Sequence, residues 1–267
     1  MLKNNFLETI KEMTLQRVNV AKQELAPSYL NDLIGQSQAP LPFVEKLMMT
    51  KGIRIIAEVK RQSPSRGDIA LHLDPLDVAK MYAESGAAAI SVLTEPKYFG
   101  GSIESLRMIR LLLPGTPLLM KDFILEPFQL LQARAAGADA VLLMYSLLEK
   151  NQLHEMYEQA ILLGLTPLLE VHDEIEMQAA VDLRADLVGI NNRNLKTLEV
   201  SLDNSRGLAP MRSAGMTLIA ESGIQSPSEI CELSQIGFDG FLIGTALTAH
   251  GDPAANLKTI LRACHGN

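Results

Sequence analysis

Eight short apolar segments follow one another along the chain, and each has the length of one β-strand. Longer segments with helical spacing of apolar residues separate them. The short segments show no clean alternation of apolar and polar residues, which is typical of parallel strands whose outer face is covered by helices. The predicted strands are Ile53–Val59, Ala88–Leu93, Thr116–Met120, Asp139–Met144, Leu165–Leu169, Asp186–Ile190, Thr217–Ala220 and Gly240–Ile243.

The number of strand–helix units favours a closed barrel over an open sheet. Eight units make a (β/α)8 TIM barrel, and 267 residues are enough for one barrel with a modest extension. A doubly wound sheet would also alternate strands and helices, but the chain has no G-x-G-x-x-G dinucleotide fingerprint. We therefore predict an α/β fold, with residues 1–267 forming a single barrel domain.

The first fifty residues precede the first predicted strand and carry helical signals. Phe6–Leu25 has apolar residues at helical spacing, and Ser28–Ile34 and Phe43–Met49 are predicted as two shorter helices. We expect residues 1–50 to be an N-terminal helical extension that covers the bottom of the barrel, its rim or part of its active face.

Most of the predicted strands end in a residue that can take part in chemistry. The carboxyl ends of the strands of a barrel meet at one face, so these residues are predicted to converge on one pocket. The residues at the strand ends are Glu58 and Lys60, Thr94 and Glu95, Lys121 and Asp122, Tyr145, Glu170, Asn191 and Arg193, Glu221 and Ser222, and Gly244 and Thr245.

Three of these strand ends carry candidate acids and bases. Glu58 and Lys60 are two residues apart, so their side chains share a face, where a protonated lysine could bind an anion or donate a proton. Lys121 is a candidate general acid. Glu170, partly desolvated, is expected to have a raised pKa suited to acid–base exchange. The alternatives are an ion pair that only stabilises a strand end and a lysine that only begins a solvated loop.

The next strand end offers an amide and a guanidinium. Asn191 could bind a substrate hydroxyl or orient Glu170, and Arg193 has the planar fork that binds carboxylate or phosphate. An ordinary turn is the alternative for this segment. His172 is interpreted as an ordinary loop residue.

The last two strand ends predict a phosphate site. Ser222-Gly223 and Gly244-Thr245 each place a glycine beside a hydroxyl residue just after a strand. Backbone N–H groups and hydroxyls in such loops bind phosphate, and in phosphate-binding barrels the loops after strands 7 and 8 form the site. The predicted ligand is therefore a phosphorylated small molecule.

Composition narrows the class of protein. A net charge of −7 argues against a nucleic-acid partner, and no apolar stretch approaches the ~20 residues that span a membrane. The two cysteines are interpreted as reduced thiols of a cytoplasmic protein. No metal or cofactor motif is present. We expect no cofactor and a monomer, since no exposed apolar stripe is obvious.

Several of these segments together resemble indole-3-glycerol-phosphate synthase, a tryptophan-pathway lyase that closes the indole ring. The resemblance extends from about Phe6 to the C-terminus and implies a TIM barrel that needs no metal or redox cofactor. The segments that carry it are Ile56–Lys60 with Ser63-Pro64-Ser65, Ser91–Glu95, Tyr98–Ser102, Leu119–Phe123, Ile190–Arg193 and Ala220–Ile224.

The resemblance implies a substrate and a role for each site residue. The substrate would be 1-(2-carboxyphenylamino)-1-deoxyribulose 5-phosphate, which loses CO₂ and water. Lys121 would be the general acid, Glu170 the acid–base carboxylate and Lys60 the clamp for an anionic group, with Glu58 and Asn191 in support. Phe99 and Leu142 would pack on the aromatic ring. The remaining substrate contacts, mostly around the phosphate, would be Ser63, Arg193, Ser222, Gly223, Gly244 and Thr245.

Two other functions remain open from the residues alone. One is a different barrel enzyme with a phosphate site, such as a sugar-phosphate isomerase, because many barrels share the last two loops. The other is a barrel that binds a phosphorylated metabolite without turnover. Isomerised product without CO₂ release would indicate the first, and binding without turnover would indicate the second.

Overall fold

Eight parallel strands close into a barrel, which confirms the predicted fold class. The structure is a computed structural model that describes residues 6–60, 62–63, 67–68, 73–195, 197–248 and 252–262, and only the backbone of residues 6, 63, 67 and 68. The strands, in chain order, are β1 (Ile55–Val59), β2 (Gln62–Ser63), β3 (Gly67–Asp68), β4 (Ala89–Leu93), β5 (Leu118–Lys121), β6 (Ala140–Met144), β7 (Thr166–Val171), β8 (Leu187–Asn191), β9 (Thr217–Glu221) and β10 (Gly240–Ile243). β2 and β3 form a separate antiparallel pair, and the other eight strands form the barrel in sequence order.

Helices connect the barrel strands and three helices precede β1. The helices are α1 (Phe6–Glu24), α2 (Pro27–Gln36), α3 (Phe43–Met49), α4 (Pro75–Glu84), α5 (Pro96–Phe99), α6 (Ile103–Leu112), α7 (Pro127–Ala136), α8 (Lys150–Leu162), α9 (Glu174–Asp182), α10 (Asp203–Leu208), α11 (Pro227–Gln235), α12 (Thr245–Thr248) and α13 (Pro253–Leu261). Several begin with a side-chain cap followed by proline at the first helical position, as at Asp74-Pro75 and Ser226-Pro227. These local signals fix where the helices begin.

The strands are apolar because both of their faces are covered. β1, β4, β6, β8, β9 and β10 are buried at every position. Within the barrel, side chains that pair across neighbouring parallel strands point to the same side of the sheet. Glu58 pairs with Ser91, Met144 with Glu170, and Asn191 with Glu221. The register therefore brings the polar side chains near the strand ends to the inside of the barrel.

The N-terminal extension reaches from the rim of the barrel to its bottom. In α1, Arg17 makes two hydrogen bonds to Asp122 (2.6 and 3.1 Å), the residue after β5. Asp122 also accepts a hydrogen bond from Thr94 (2.6 Å). After α2, the backbone N–H of Leu41 donates to Asp139, which precedes β6 at the opposite end of the barrel. The extension thus contacts both the rim and the bottom.

Two further expectations concern membrane-spanning segments and the state of the cysteines. Among the described residues, no helix is both long and apolar enough to cross a membrane.

Cys231, on α11, is disulfide-bonded, so the interpretation of both cysteines as reduced thiols is wrong. The number of cysteines and the expected compartment carry no information on which residues lie close together in space.

Candidate active site

Lys121 lies among three buried carboxylates at the carboxyl end of the barrel. Its Nζ atom is 2.5 Å from Glu221 Oε2 and 3.9 Å from both Glu58 Oε2 and Glu170 Oε2. Burial lowers the pKa of Lys121, but the three carboxylates raise it further, so the net shift is upward. The four residues come from β5, β9, β1 and β7. The predicted convergence of distant strand ends is therefore found around one ammonium group.

Glu58 and Lys60 form a second ion pair beside this cluster. Lys60 Nζ is 2.6 Å from Glu58 Oε1, as their shared face predicted. Burial raises the pKa of Glu58, but Lys60 and Lys121 lower it more, so the carboxyl is ionised. Gly244 leaves the space that Glu58 occupies, because a Cβ on this glycine would lie 2.3 Å from Glu58 Oε1. Lys60 remains partly accessible, with 13% of its side chain exposed.

Glu170 is held by an amide and by two cations. Asn191 Nδ2 donates a hydrogen bond to Glu170 Oε1 (3.1 Å), which places Asn191 where it can orient the carboxylate. Burial raises the pKa of Glu170, but His172, Lys121 and Asn191 together lower it to about 2. The raised pKa predicted for Glu170 is therefore wrong. Strand position indicated burial but did not reveal the neighbouring charges, which outweigh it.

Of the three carboxyls around Lys121, Glu221 is the one that can hold a proton near neutral pH, and no role was predicted for it from the sequence. Burial raises its pKa to about 7, and the nearby Glu170 and Glu58 add to this against the opposing effect of Lys121. Its Oε1 atom has no hydrogen-bond partner among the described residues. Gly189 makes room for the carboxyl, since a Cβ there would lie 2.0 Å from Oε1. A signal was present in the sequence, because Glu221 directly follows the predicted strand Thr217–Ala220.

The two loops predicted to bind phosphate follow neighbouring strands. Ser222 and Gly223 follow β9 in left-handed conformations (φ 63° and 80°), and Gly244 and Thr245 follow β10 and lead into α12. The side chain of Asn192 supports the first loop by donating hydrogen bonds to the carbonyls of Glu221 and Ser222 (3.1 and 3.2 Å). Backbone N–H groups and two hydroxyls are thus available on one side of the carboxyl cluster.

The Arg193 loop packs against the first of these loops. Arg193 forms an isolated bridge with Val200, and a Cβ on Gly223 would lie 2.6 Å from Val200 Cγ1. The guanidinium donates to the carbonyl of Leu198 (3.3 Å), so it is not aimed at the Lys121 cluster in this conformation. Ser63 lies in β2, and its side chain is outside the part of the chain that the structure describes.

Apolar side chains lie on β6 and on the segments that follow β4 and β5. Phe99, at the end of α5, contacts Phe123 with ring centroids 6.2 Å apart and tilted by 49°. Leu142 is buried on β6, where it pairs with the inward-facing Leu168. Phe123 belongs to the segment Lys121-Asp122-Phe123, yet no contact was predicted for it from the sequence. Phe123 follows Lys121 by two residues, so the aromatic pair lies at the end of β5 that carries Lys121.

This arrangement suits acid–base chemistry on an anionic, partly aromatic substrate. An ammonium, an ionised carboxylate and a carboxyl with a pKa near neutrality lie within contact of one another. Separated pKa values among neighbouring carboxyls are the usual arrangement of acid–base sites. The four side chains of the cluster come from β1, β5, β7 and β9, and the loops that carry hydroxyl and glycine residues follow β9 and β10.

Comparisons with known proteins agree with this chemistry. A sequence model described as indole-3-glycerol phosphate synthase matches residues 7–260. The indole-3-glycerol phosphate synthase of Nocardioides sp. is 45% identical over 248 residues, which cover 91% of this chain and 93% of the relative. That of Carboxydothermus hydrogenoformans is 42% identical over 264 residues, covering 96% of this chain and 99% of the relative.

Solved structures of lower identity share the barrel fold. The 3-hexulose-6-phosphate synthase of Salmonella typhimurium superposes with a TM-score of 0.64 at 14% identity, covering 79% of this chain and 98% of the other. The tryptophan synthase alpha chain of Legionella pneumophila gives 0.60 at 16% identity, covering 84% and 95%. The match to the sequence model and the identity with full-length relatives go further than the fold, and they show that the chain belongs to the indole-3-glycerol phosphate synthase family.

Proposed function

We propose that the Lys121 cluster carries out the ring closure that defines this family of decarboxylating lyases. The reaction converts 1-(2-carboxyphenylamino)-1-deoxyribulose 5-phosphate into indole-3-glycerol phosphate, CO₂ and water, in tryptophan biosynthesis. The observation that carries the proposal is the placement of Lys121 within contact of Glu58, Glu170 and Glu221. A protonated lysine in such a site can polarise a carbonyl oxygen and donate a proton to it.

Lys121 acts first, on the ketone of the ribulose chain. Its ammonium group donates a hydrogen bond to the carbonyl oxygen and then transfers a proton as the ring carbon attacks the carbonyl carbon. Loss of CO₂ from that ring carbon restores the aromatic ring. Glu221, in contact with Lys121 and with a pKa near 7, can return a proton to the lysine.

Glu170 acts in the dehydration that follows. Its carboxylate is ionised at neutral pH and can accept a proton from the substrate carbon as the neighbouring hydroxyl leaves as water. Asn191 fixes the orientation of the carboxylate through its hydrogen bond to Oε1. Glu170 therefore serves as the base, with Asn191 as its support.

Lys60, Glu58 and the apolar wall position the aromatic half of the substrate. Lys60 offers a charge to the substrate carboxylate, and its 2.6 Å contact with Glu58 holds the ammonium in place. Phe99 and Leu142 pack on the aromatic ring.

The loops after β8, β9 and β10 hold the phosphate, with a further contact from Ser63. Ser222, Gly223, Gly244 and Thr245 supply hydroxyl and backbone donors, and α12 begins at Thr245. Arg193 lies on the loop after β8, and its guanidinium is proposed to exchange the carbonyl of Leu198 for the phosphate.

Replacement of Thr245 by Val tests the phosphate site. Valine keeps the shape and removes the hydroxyl, so we expect KM to rise roughly tenfold while kcat changes little, because hydrogen bonds to charged groups are strong. The chain has no Trp, so indole formation can be followed by fluorescence over a low protein background. Thr259→Val, on α13, is the matched control. Equal KM values for both variants and the unmodified protein would rule out a phosphate contact for Thr245.

Family membership disfavours the two other functions that the residues alone left open. A sugar-phosphate isomerase would not release CO₂, and a binding protein without turnover would not need the acid–base cluster. The low-identity structural neighbours show a shared fold and do not favour either alternative.

Several expectations from the sequence remain predictions. We propose that the chain is a single domain that works as a monomer in the cytoplasm and binds no nucleic acid. The net charge of −7 supports the last point, since phosphate backbones are bound by basic surfaces.

A further inference from the structure

His172 lies between two carboxylates at the carboxyl end of β7. Its Nε2 atom is 3.2 Å from Glu170 Oε1, and its Nδ1 atom is 3.1 Å from Glu176 Oε2. The backbone N–H of His172 donates to the same Glu176 oxygen (2.8 Å). The interpretation of His172 as an ordinary loop residue is therefore wrong, because the ring contacts the proposed base directly.

The two contacts differ in geometry. Nδ1 faces Glu176 at hydrogen-bond distance, whereas Nε2 is within ion-pair distance of Glu170 without the alignment of a hydrogen bond. Glu176 is itself fixed, since its backbone N–H donates to the cap residue Asp173 of α9 (2.9 Å). The ring is thus anchored to the start of α9 and presents Nε2 to the carboxylate of Glu170.

The charge of the His172 ring follows from its surroundings, because each of its two nitrogens faces a carboxylate. A neutral imidazole has one nitrogen that only accepts, and this nitrogen would face an anionic oxygen in either tautomer. Only the imidazolium has an N–H on each side. The side chain is 13% exposed, so solvent does little to weaken either contact.

We infer that His172 is a positioning residue, an imidazolium anchored by Glu176 that holds the Glu170 carboxylate turned toward Lys121. The inference rests on the proposed role of Glu170 as the base and extends the site to a residue on the far side of that carboxylate. It also assigns Glu176 a part in the site through His172. Neither residue needs to touch the substrate.

The charged groups around Glu170 and His172 agree with this positioning role. The Glu170 carboxylate faces Lys121 from β5, Glu58 from β1, Glu221 from β9 and His172, while the His172 ring faces Glu170 and Glu176. Burial lowers the pKa of His172, but the two carboxylates raise it to about 10. Of the two cations near Glu170, Lys121 is 3.9 Å away and also contacts Glu221, which leaves His172 as the closer partner.

The direction of the His172 pKa shift determines how the charge of its ring contributes to folding stability at each pH. Because the folded pKa is above the unfolded value, the ion pairs of His172 contribute fully below about pH 6.5. Their contribution is lost as the pH rises through the folded pKa near 10. At neutral pH His172 is therefore charged and most of its effect on Glu170 is present.

Nuclear magnetic resonance of labelled protein tests the inference without relying on turnover. We expect the ring nitrogens of His172 to show the imidazolium signature up to at least pH 8.5, and Glu176→Gln to lower the pH at which this signature is lost. In His172→Gln, the side-chain carboxyl carbon of Glu170, assigned with Glu170→Gln, is expected to titrate about 1–3 pH units higher. A His172 ring that is neutral by pH 7.5, or an unchanged Glu170 titration, would overturn the inference.

A matched variant and a kinetic measurement complete the test. His154 forms a similar pair with Glu158 (3.5 Å) on the exposed face of α8, so His154→Gln should leave the Glu170 titration and kcat unchanged. His172→Gln is expected to lower kcat roughly tenfold at pH 7 with a smaller change in KM. Wild-type kcat in His172→Gln would contradict the inference.

Turnover by the Glu170→Gln variant distinguishes a failure of this inference from a failure of the proposed function. Normal turnover by Glu170→Gln would remove Glu170 from its proposed role, whatever the charge of His172. Loss of turnover in Glu170→Gln, together with an unchanged titration in His172→Gln, would leave the function standing and reject the positioning role.

Discussion

Replacement of Lys121 by Met is expected to lower kcat by about 10²–10⁴ while KM changes much less. The lysine is the group placed to polarise the substrate carbonyl, so its loss affects the transition state more than the bound substrate. The assay is the fluorescence of newly formed indole under saturating substrate. A kcat within a few-fold of the unmodified enzyme would reject Lys121 as the general acid.

Two further variants separate the chemical role of Lys121 from its electrostatic role. Lys121→Met leaves Glu58, Glu170 and Glu221 without their shared cation, and an uncompensated buried charge costs about 3–5 kcal/mol of stability. Lys121→Arg keeps the positive charge but does not give up a proton at neutral pH, so it should fold well and still have a low kcat. Lys80→Met removes an exposed lysine that also pairs with a glutamate (Glu84, 3.9 Å), and it should match the unmodified enzyme.

Replacement of Glu170 by Gln is expected to reduce kcat by about 10²–10⁴, because the base is lost while size and shape are kept. The hydrogen bond from Asn191 can be retained by the amide oxygen. The measurement is kcat across pH 5–9, compared with Glu155→Gln on the exposed face of α8. Equal kcat values for the two variants would show that Glu170 is not the base.

Glu170→Gln should also change the dependence of stability on pH. The folded pKa of Glu170, about 2, is below its ordinary value, so its ionisation stabilises the fold above about pH 4.5. This stabilisation is lost as the pH falls toward 2. The difference in unfolding free energy between the unmodified enzyme and the variant should therefore shrink in acid, as measured by urea unfolding at several pH values.

The fold and the position of the site were predictable because they follow from local patterns. Buried parallel strands read as apolar runs, and helix caps such as Asp74-Pro75 mark where helices begin. Once eight strands are expected, their carboxyl ends must share a face. Lys121, Glu58 and Glu170 could therefore be placed together from the sequence, although they are far apart along the chain.

What could not be predicted depends on distances across the barrel. The pKa of Glu170 is set by His172 and Lys121, and that of Glu221 by burial and the other two glutamates. The position of a residue on its strand does not give its distance from these groups. The contact of His172 with Glu176 also depends on the angle at which α9 leaves β7. The role of Gly189, which leaves room for the Glu221 carboxyl, likewise depends on a contact between neighbouring strands.

A crystal structure with bound indole-3-glycerol phosphate would show directly whether residues from separate strands meet around one sugar phosphate. We predict the phosphate within hydrogen-bond distance of Ser222, Gly223 and Thr245, and the glycerol chain between Lys121 and Glu170. The indole ring should lie against Phe99. A product bound at another face of the barrel, or a phosphate on loops away from β9 and β10, would contradict the account.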